Sequence, residues 1–240
     1  MIATPKTAML LAAGLGTRLR PITQTLPKPL VEVAGVTLLD HALDRLAAVG
    51  VRRVVVNLHY LPDLIERQLG RRRDLEIRLS HEPQLLDTGG GIAQALPLLD
   101  EQFYVVNSDV LWLDGKIPAL QRLAGAFDAA RHDAVLLLQR TTTAIGYDGR
   151  GDFMLDPLGA LRRRGEREIA PHLFAGVEIL HQRLFAGAPS GAFSLNPLWD
   201  KAIEAGRIAG LVHDGEWFHV GTPAGLAITR ARFETQRVER

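Results

Sequence analysis

The sequence predicts an α/β fold built on a doubly wound, mostly parallel sheet. Three observations predict it. Short apolar runs at residues 8–13, 54–58 and 103–106 have the length and composition of strands buried on both faces. Helical patterns alternate with them up to about Gln139, as a parallel sheet with crossover helices requires. The runs end in glycine or in short polar tips, and open α/β sheets bind ligands outside the carboxyl ends of their strands.

The first run stops at Gly14, and Gly16, Thr17 and Arg18 follow in a polar turn. Glycine lets a backbone come close to a phosphate and turn its N–H groups toward it. Arg18 and Arg20 supply planar, permanently charged donors that suit phosphate oxygens. Lys28 is one of four lysines and stands between Pro27 and Pro29, which stiffen the local backbone and present the side chain at a defined place. Turn and lysine together predict a polyphosphate cradle. It matches neither common nucleotide loop: the lysine lies well beyond the glycines, and Leu19 occupies the third glycine position of the dinucleotide fingerprint.

After a short extended piece at residues 30–33, residues 38–49 have the spacing of an amphipathic helix closed by Gly50. Residues 54–58 form the second strand, and Pro62 opens a helix that runs to Gly70. The Arg71, Arg72, Arg73 run reads as a solvated turn, and residues 75–79 alternate as a strand with one wet face. Gly89, Gly90 and Gly91 are read as lying directly before a helix at residues 92–96. Alone they are equally a hinge or an opening of the helix N-terminus to a ligand; beside the cradle, the ligand reading is expected. The strand at residues 103–107 ends in Asn107, Ser108 and Asp109, and a carboxylate just past a strand is placed to hold a metal ion near the cradle or to cap a turn.

From Thr141 the pattern changes to a glycine-rich loop, a turn at residues 157–159, a strand at 172–180 and a helix at 197–205. A strand and turn at 216–222 and a helix opened by Pro223 follow. This part is expected to cap or interrupt the sheet, leaving a single domain over residues 1–240. The 240 residues are 47% hydrophobic, enough for a full core. A net charge of +1 gives no polyanion-binding surface, so no nucleic-acid partner is expected. The absence of cysteine excludes disulfides, thiolate metal sites and a cysteine nucleophile. With no signal-peptide pattern and no membrane-length apolar run, a cytoplasmic protein without a membrane partner is expected. Nothing in the sequence reports the oligomeric state.

The run from Leu11 to Thr23, Leu-Ala-Ala-Gly-Leu-Gly-Thr-Arg-Leu-Arg-Pro-Ile-Thr, followed by Pro27-Lys-Pro29, resembles the signature of the sugar-1-phosphate nucleotidyltransferases, or NDP-sugar pyrophosphorylases. Further likeness lies in Asp-Thr-Gly-Gly-Gly at 87–91, Asn-Ser-Asp at 107–109, Gly-Arg-Gly-Asp-Phe at 149–153, and Trp217 with Gly221 and Thr222. Among compact members, the chain looks most like the N-acetylmuramate-1-phosphate uridylyltransferases of bacterial cell-wall recycling, with mannose-1-phosphate guanylyltransferases as nearest competitors. The resemblance implies a Rossmann-like nucleotidyltransferase fold with a small sugar-binding lobe. Residues 1–140 would be the nucleotide-binding core, and 141–240 the sugar-binding and metal-completing part.

The implied reaction is attack by a sugar-1-phosphate oxygen on the α-phosphorus of a nucleoside triphosphate, with both reactants as partners and pyrophosphate released. Resemblance assigns Ala12, Ala13, Gly14, Gly16, Thr17, Arg18, Lys28, Gly89 and Gly90 to the nucleotide, with Arg18 and Lys28 catalytic. Asn107, Gly151, Asp152, Gly176 and Glu178 would face the sugar, and Asp109 would hold Mg²⁺. Two departures stand out. His219 occupies the place of the family's second metal-binding aspartate, and imidazole suits transition metals better than Mg²⁺. Asp109 is therefore expected to carry the ion with the substrate phosphates, His219 standing behind it. The family's second lysine, which holds the sugar phosphate, has no counterpart; Arg150 is one candidate replacement. A sensor that kept the cradle but lost turnover is the alternative of a different class, separated by metal-dependent pyrophosphate release.

Overall fold

The computed structural model describes residues 4–238. Strand β1 (Thr7–Leu11) lies inside the main sheet, and its alternation explains why: Ala8 and Leu10 pack on one face, Met9 on the other. A small hairpin, β2 (Glu32–Val33) with β3 (Val36–Thr37), leads into helix α1 (Leu38–Ala48). The Thr37 hydroxyl caps that helix by accepting from the Asp40 N–H at 3.0 Å. Then come β4 (Arg53–Leu58), α2 (Pro62–Leu69), β5 (Glu76–His81), α3 (Asp87–Ala95) and β6 (Gln102–Asn107). Strands β4 and β6 flank β1, all parallel, and β5 adds outside β4. The chain thus works outward from β1 and returns on its other side, a switch point that leaves a crevice beyond Leu11, Asn57 and Asn107.

The second half is β7 (Val110–Leu113), α4 (Ala119–Ala126), β8 (Ala134–Arg140), β9 (Ala144–Ile145), β10 (Phe153–Leu155) and β11 (Leu161–Arg163). It continues with β12 (His172–His181), α5 (Asn196–Glu204), β13 (Ile208–Val212), β14 (Glu216–His219) and α6 (Pro223–Val238). Strand β12 enters the main sheet antiparallel between β6 and β8, and β13 extends it alongside β8. The β10–β11 hairpin joins the start of β12, and β7, β14 and β9 form a separate three-stranded sheet.

Both faces of the main sheet are covered, as a doubly wound sheet requires. Val54, Val56 and Tyr104 pack with Leu43, Ile65 and Leu123 on one side; Val55 and Phe103 pack with Ile92, Leu198 and Trp199 on the other. Each such side chain contributes about 1.5–3 kcal/mol on burial. A third cluster joins Leu19 and Val31 of the cradle to Leu111, Phe218, Val220 and Phe233, so the cradle rests on the small sheet and α6.

Two local expectations change. Helix α3 begins at Asp87, not after the glycines, because Gly89, Gly90 and Gly91 are themselves helical and buried. Arg72 is no solvated residue: its guanidinium bridges Asp44 at 2.6 Å, Asp74 at 2.8 Å and Asp40 at 3.4 Å, pinning α1 to the turn before β5.

Candidate active site

A cavity of about 330 Å³ opens in the crevice at the switch point. Its lining includes Ala12, Ala13, Gly14, Gly16, Thr17, Arg18 and Lys28 from the cradle, with Asn57, Asn107 and Asp109 from the strand ends. Ala12 and Ala13 lie past the end of β1, in the turn itself. The Ala12 N–H donates to Asn57 Oδ1 at 2.7 Å, while Asn57 Nδ2 donates to buried Glu82 at 2.7 Å. The Ser108 hydroxyl donates to the Leu11 carbonyl at 2.7 Å, fixing the other side of the turn.

The two turn glycines differ. Gly16 has φ of +62°, and a Cβ there would stand 3.0 Å from Thr23 Cγ2 and 3.1 Å from Lys28 Cβ. Glycine at 16 is thus demanded twice, by backbone conformation and by the close approach of Lys28. A Cβ at Gly14 would meet nothing within 4 Å, so its backbone is open to the cavity. Arg18 is exposed at the rim and makes no hydrogen bond to the described residues.

Lys28 is 8% exposed, and its Nζ lies 2.9 Å from Asp109 Oδ2. Burial alone would raise the Asp109 carboxyl; Lys28 first, then His219 and Arg18, outweigh it and hold the carboxyl below its ordinary value. Asp109 therefore faces the cavity as a hard, ionised oxygen donor, chemistry that fits Mg²⁺. His219 lines neither cavity. Its ring stacks on Trp217 at 6.1 Å and meets Tyr147 edge-on at 6.4 Å. Burial lowers its pKa from the ordinary 6.5, Asp109 opposing, so the imidazole is neutral at pH 7. Among the described residues no group of three or more His, Cys, Asp or Glu side chains is arranged to hold a metal ion.

A second cavity of about 320 Å³ shares Leu11, Asp87, Thr88 and Asn107 with the first. Asp152, Glu178, Phe174, Arg163, Asn196 and Trp199 complete its wall with the 194–195 segment. Asp152 Oδ2 accepts from the Phe174 N–H at 2.8 Å. Glu178 is buried, which pushes its pKa well up, while the Trp199 Nε1–H donates to Oε2 at 3.0 Å. Burial thus favours its protonated form, which can donate as well as accept.

The remaining expected site residues fall elsewhere. Gly89 and Gly90 line neither cavity: a Cβ at Gly89 would lie 2.4 Å from the Phe193 ring, and one at Gly90 2.3 Å from the Gly191 carbonyl. They are glycines so that α3 can lie against the 191–193 loop, and it is Asp87 and Thr88 at the helix start that reach the ligand space. Gly151 and Gly176 also serve the backbone. Their φ values are +72° and +76°; Gly151 lies under the Ala170 carbonyl, and Gly176 sits at an irregularity of β12 against Asn107 and Val110. Arg150 is exposed and lines neither cavity. Asn57, Thr88 and Arg163 were not anticipated. Asn57 had a readable signal, a polar tip on an apolar strand like that of Asn107; Arg163, within a run of arginines, had none.

Residues 7–147 match the model of a family described as nucleotidyl transferase. The N-acetylmuramate alpha-1-phosphate uridylyltransferase of Caulobacter vibrioides is 44% identical over 238 residues, 97% of this chain and 98% of that one. The protein of the same name from Neisseria meningitidis serogroup B is 36% identical, covering 93% and 96%. The fold is also that of a UDP-glucose pyrophosphorylase solved with UDP-glucose, with a TM-score of 0.79 at 16% identity over 97% of this chain and 99% of that one. By family model and by near full-length relatives alike, the chain belongs to the nucleotidyl transferase family.

Proposed function

We propose that this chain is a sugar-1-phosphate uridylyltransferase that joins UTP to N-acetylmuramate α-1-phosphate, giving the UDP-sugar and pyrophosphate. The observation that carries the reading is the pair of cavities meeting at one shared wall, the first built from the cradle motif. Two reactants set in adjoining cavities are already oriented for transfer. The named reagents come from the relatives' names, which hold over nearly the whole of both chains.

In the reaction, a sugar-phosphate oxygen forms a bond to the α-phosphorus of UTP while the bond to the bridging oxygen of the β-phosphate breaks. Both reactants are anions, so the main problem is charge. The open backbone at Gly14 and the Arg18 guanidinium are proposed to receive the triphosphate, with Arg18 on the departing pyrophosphate. Lys28 neutralises phosphate oxygens from the cavity floor. Asp109 is the residue proposed to hold Mg²⁺, which when bound supplies further charge neutralisation at the phosphates. Asp152 and Glu178 are proposed to read sugar hydroxyl or amide groups. The sugar belongs to peptidoglycan, so the proposed role is cell-wall recycling, in the cytoplasm where UTP is available.

The test is pyrophosphate release with Mg²⁺, crossing UTP and GTP with the 1-phosphates of N-acetylmuramate, N-acetylglucosamine and mannose. Turnover is expected with UTP and N-acetylmuramate 1-phosphate. Turnover with GTP and mannose 1-phosphate instead would overturn the substrate assignment, and no turnover in any combination would favour a sensor.

A further inference from the structure

We propose that Arg163 is the specificity residue of the second cavity and takes a carboxylate carried by the sugar, the lactyl group of N-acetylmuramate. The inference rests on the proposed function and deepens it. N-acetylmuramate differs from N-acetylglucosamine by an ether-linked lactyl group, whose carboxylate is the one charge that distinguishes the two sugars.

The second cavity is otherwise lined by acids and neutral groups: Asp87, Asp152 and Glu178 face it, and Arg163 is its one cationic side chain among the described residues. The guanidinium is held in a fixed plane. It lies 4.7 Å over the Phe153 ring and 5.4 Å from that of Trp199. Its Nε donates to Asp200 at 2.6 Å and its Nη2 to Asn196 Oδ1 at 3.0 Å. Nη1 has no hydrogen-bond partner among the described residues, leaving donors of a planar, ordered cation for a ligand.

Position separates this role from phosphate binding. The reacting phosphates must meet at the wall shared by both cavities, formed by Leu11, Asp87, Thr88 and Asn107. Arg163 lines only the second cavity, beside Asn196 and Trp199.

The experiment compares kcat/KM for N-acetylmuramate 1-phosphate, its lactamide analogue, in which the carboxylate is a neutral amide, and N-acetylglucosamine 1-phosphate. Wild type, Arg163→Met and Arg163→Lys are each assayed with UTP. The wild type is expected to prefer the carboxylate over the amide by on the order of 10–100-fold, the worth of a charge-assisted hydrogen bond. Arg163→Met is expected to erase that preference and Arg163→Lys to keep part of it. Ratios within one variant cancel any general loss of folded enzyme. A carboxylate preference that survives in Arg163→Met would overturn the inference while leaving the proposed function intact. So would an equal loss on all three sugars, because the carboxylate-to-amide ratio would then be that of the wild type. A wild type that does not turn over N-acetylmuramate 1-phosphate would overturn both.

Discussion

Lys28 Nζ and Asp109 Oδ2 stand 2.9 Å apart, joining the cradle to the end of β6 across 81 residues of sequence. The two charges each satisfy the other while aimed at the same cavity. Lys28→Ala leaves the carboxylate unpaired and removes a cation from the phosphate space, so kcat is expected to fall by on the order of 10²–10³. The same pair makes a pH prediction. Asp109 titrates below its ordinary 3.8 in the folded chain, so its contribution to stability is present above that value and lost as pH falls through the lower folded one. Denaturant melts of wild type and Asp109→Asn should therefore converge in acid and separate above pH 4; constant separation would contradict the shift.

Gly14 and Gly16 separate binding from folding. Gly16→Ala forces an alanine to positive φ against Thr23 and Lys28, a strain of about 1–3 kcal/mol. Thermal unfolding should show it in the absence of any ligand. Gly14→Ala has open space for its methyl group, so its melting temperature should stay near that of wild type. Its methyl group would stand where the triphosphate is proposed to approach, and the KM for UTP should rise.

Glu178 is raised well above its ordinary 4.5, by burial first. The sign follows from linkage: the stability it confers is full below 4.5 and falls as pH rises toward the raised folded value. Glu178→Gln keeps the shape and the acceptor for Trp199 and cannot ionise. Urea unfolding from pH 4 to 8 should therefore show wild type losing stability relative to Glu178→Gln as pH rises. A parallel pair of curves would place the ionised acid in the folded chain.

His219 stacks on Trp217 and lines neither cavity. Phenylalanine keeps the stack and abolishes metal ligation, so His219→Phe should retain the Mg²⁺ dependence of wild type. A severalfold rise in the Mg²⁺ concentration for half-maximal turnover would make His219 a ligand.

Local signals account for what the sequence revealed. The alternation of Ala8, Met9 and Leu10, the glycines at 14 and 16 and the proline-flanked Lys28 are short-range features, and together they located β1 and the cradle. Helix α3 was misplaced because Gly89, Gly90 and Gly91 have poor helix propensity; their packing against Phe193 and Gly191, a hundred residues away, overrides it. Family likeness points to Gly151 and Gly176 as well, and their positive φ and close neighbours give a reason for glycine there that needs no ligand. Arg163 escaped notice because its meaning comes from the rings of Phe153 and Trp199, which only the β10–β11 hairpin and α5 bring to it.

Of the three tryptophans, Trp112 and Trp217 are buried in the core around α1, β7 and β14, and only Trp199 lines either of the two adjoining cavities of the site. Its indole N–H is tied to Glu178 and its ring lies 4.8 Å from that of Phe174. The chain thus carries its own optical probe for the second cavity. A sugar phosphate that disturbs the Glu178 contact is expected to change the emission of that indole. Occupancy of the second cavity is therefore readable by intrinsic fluorescence, without label or turnover.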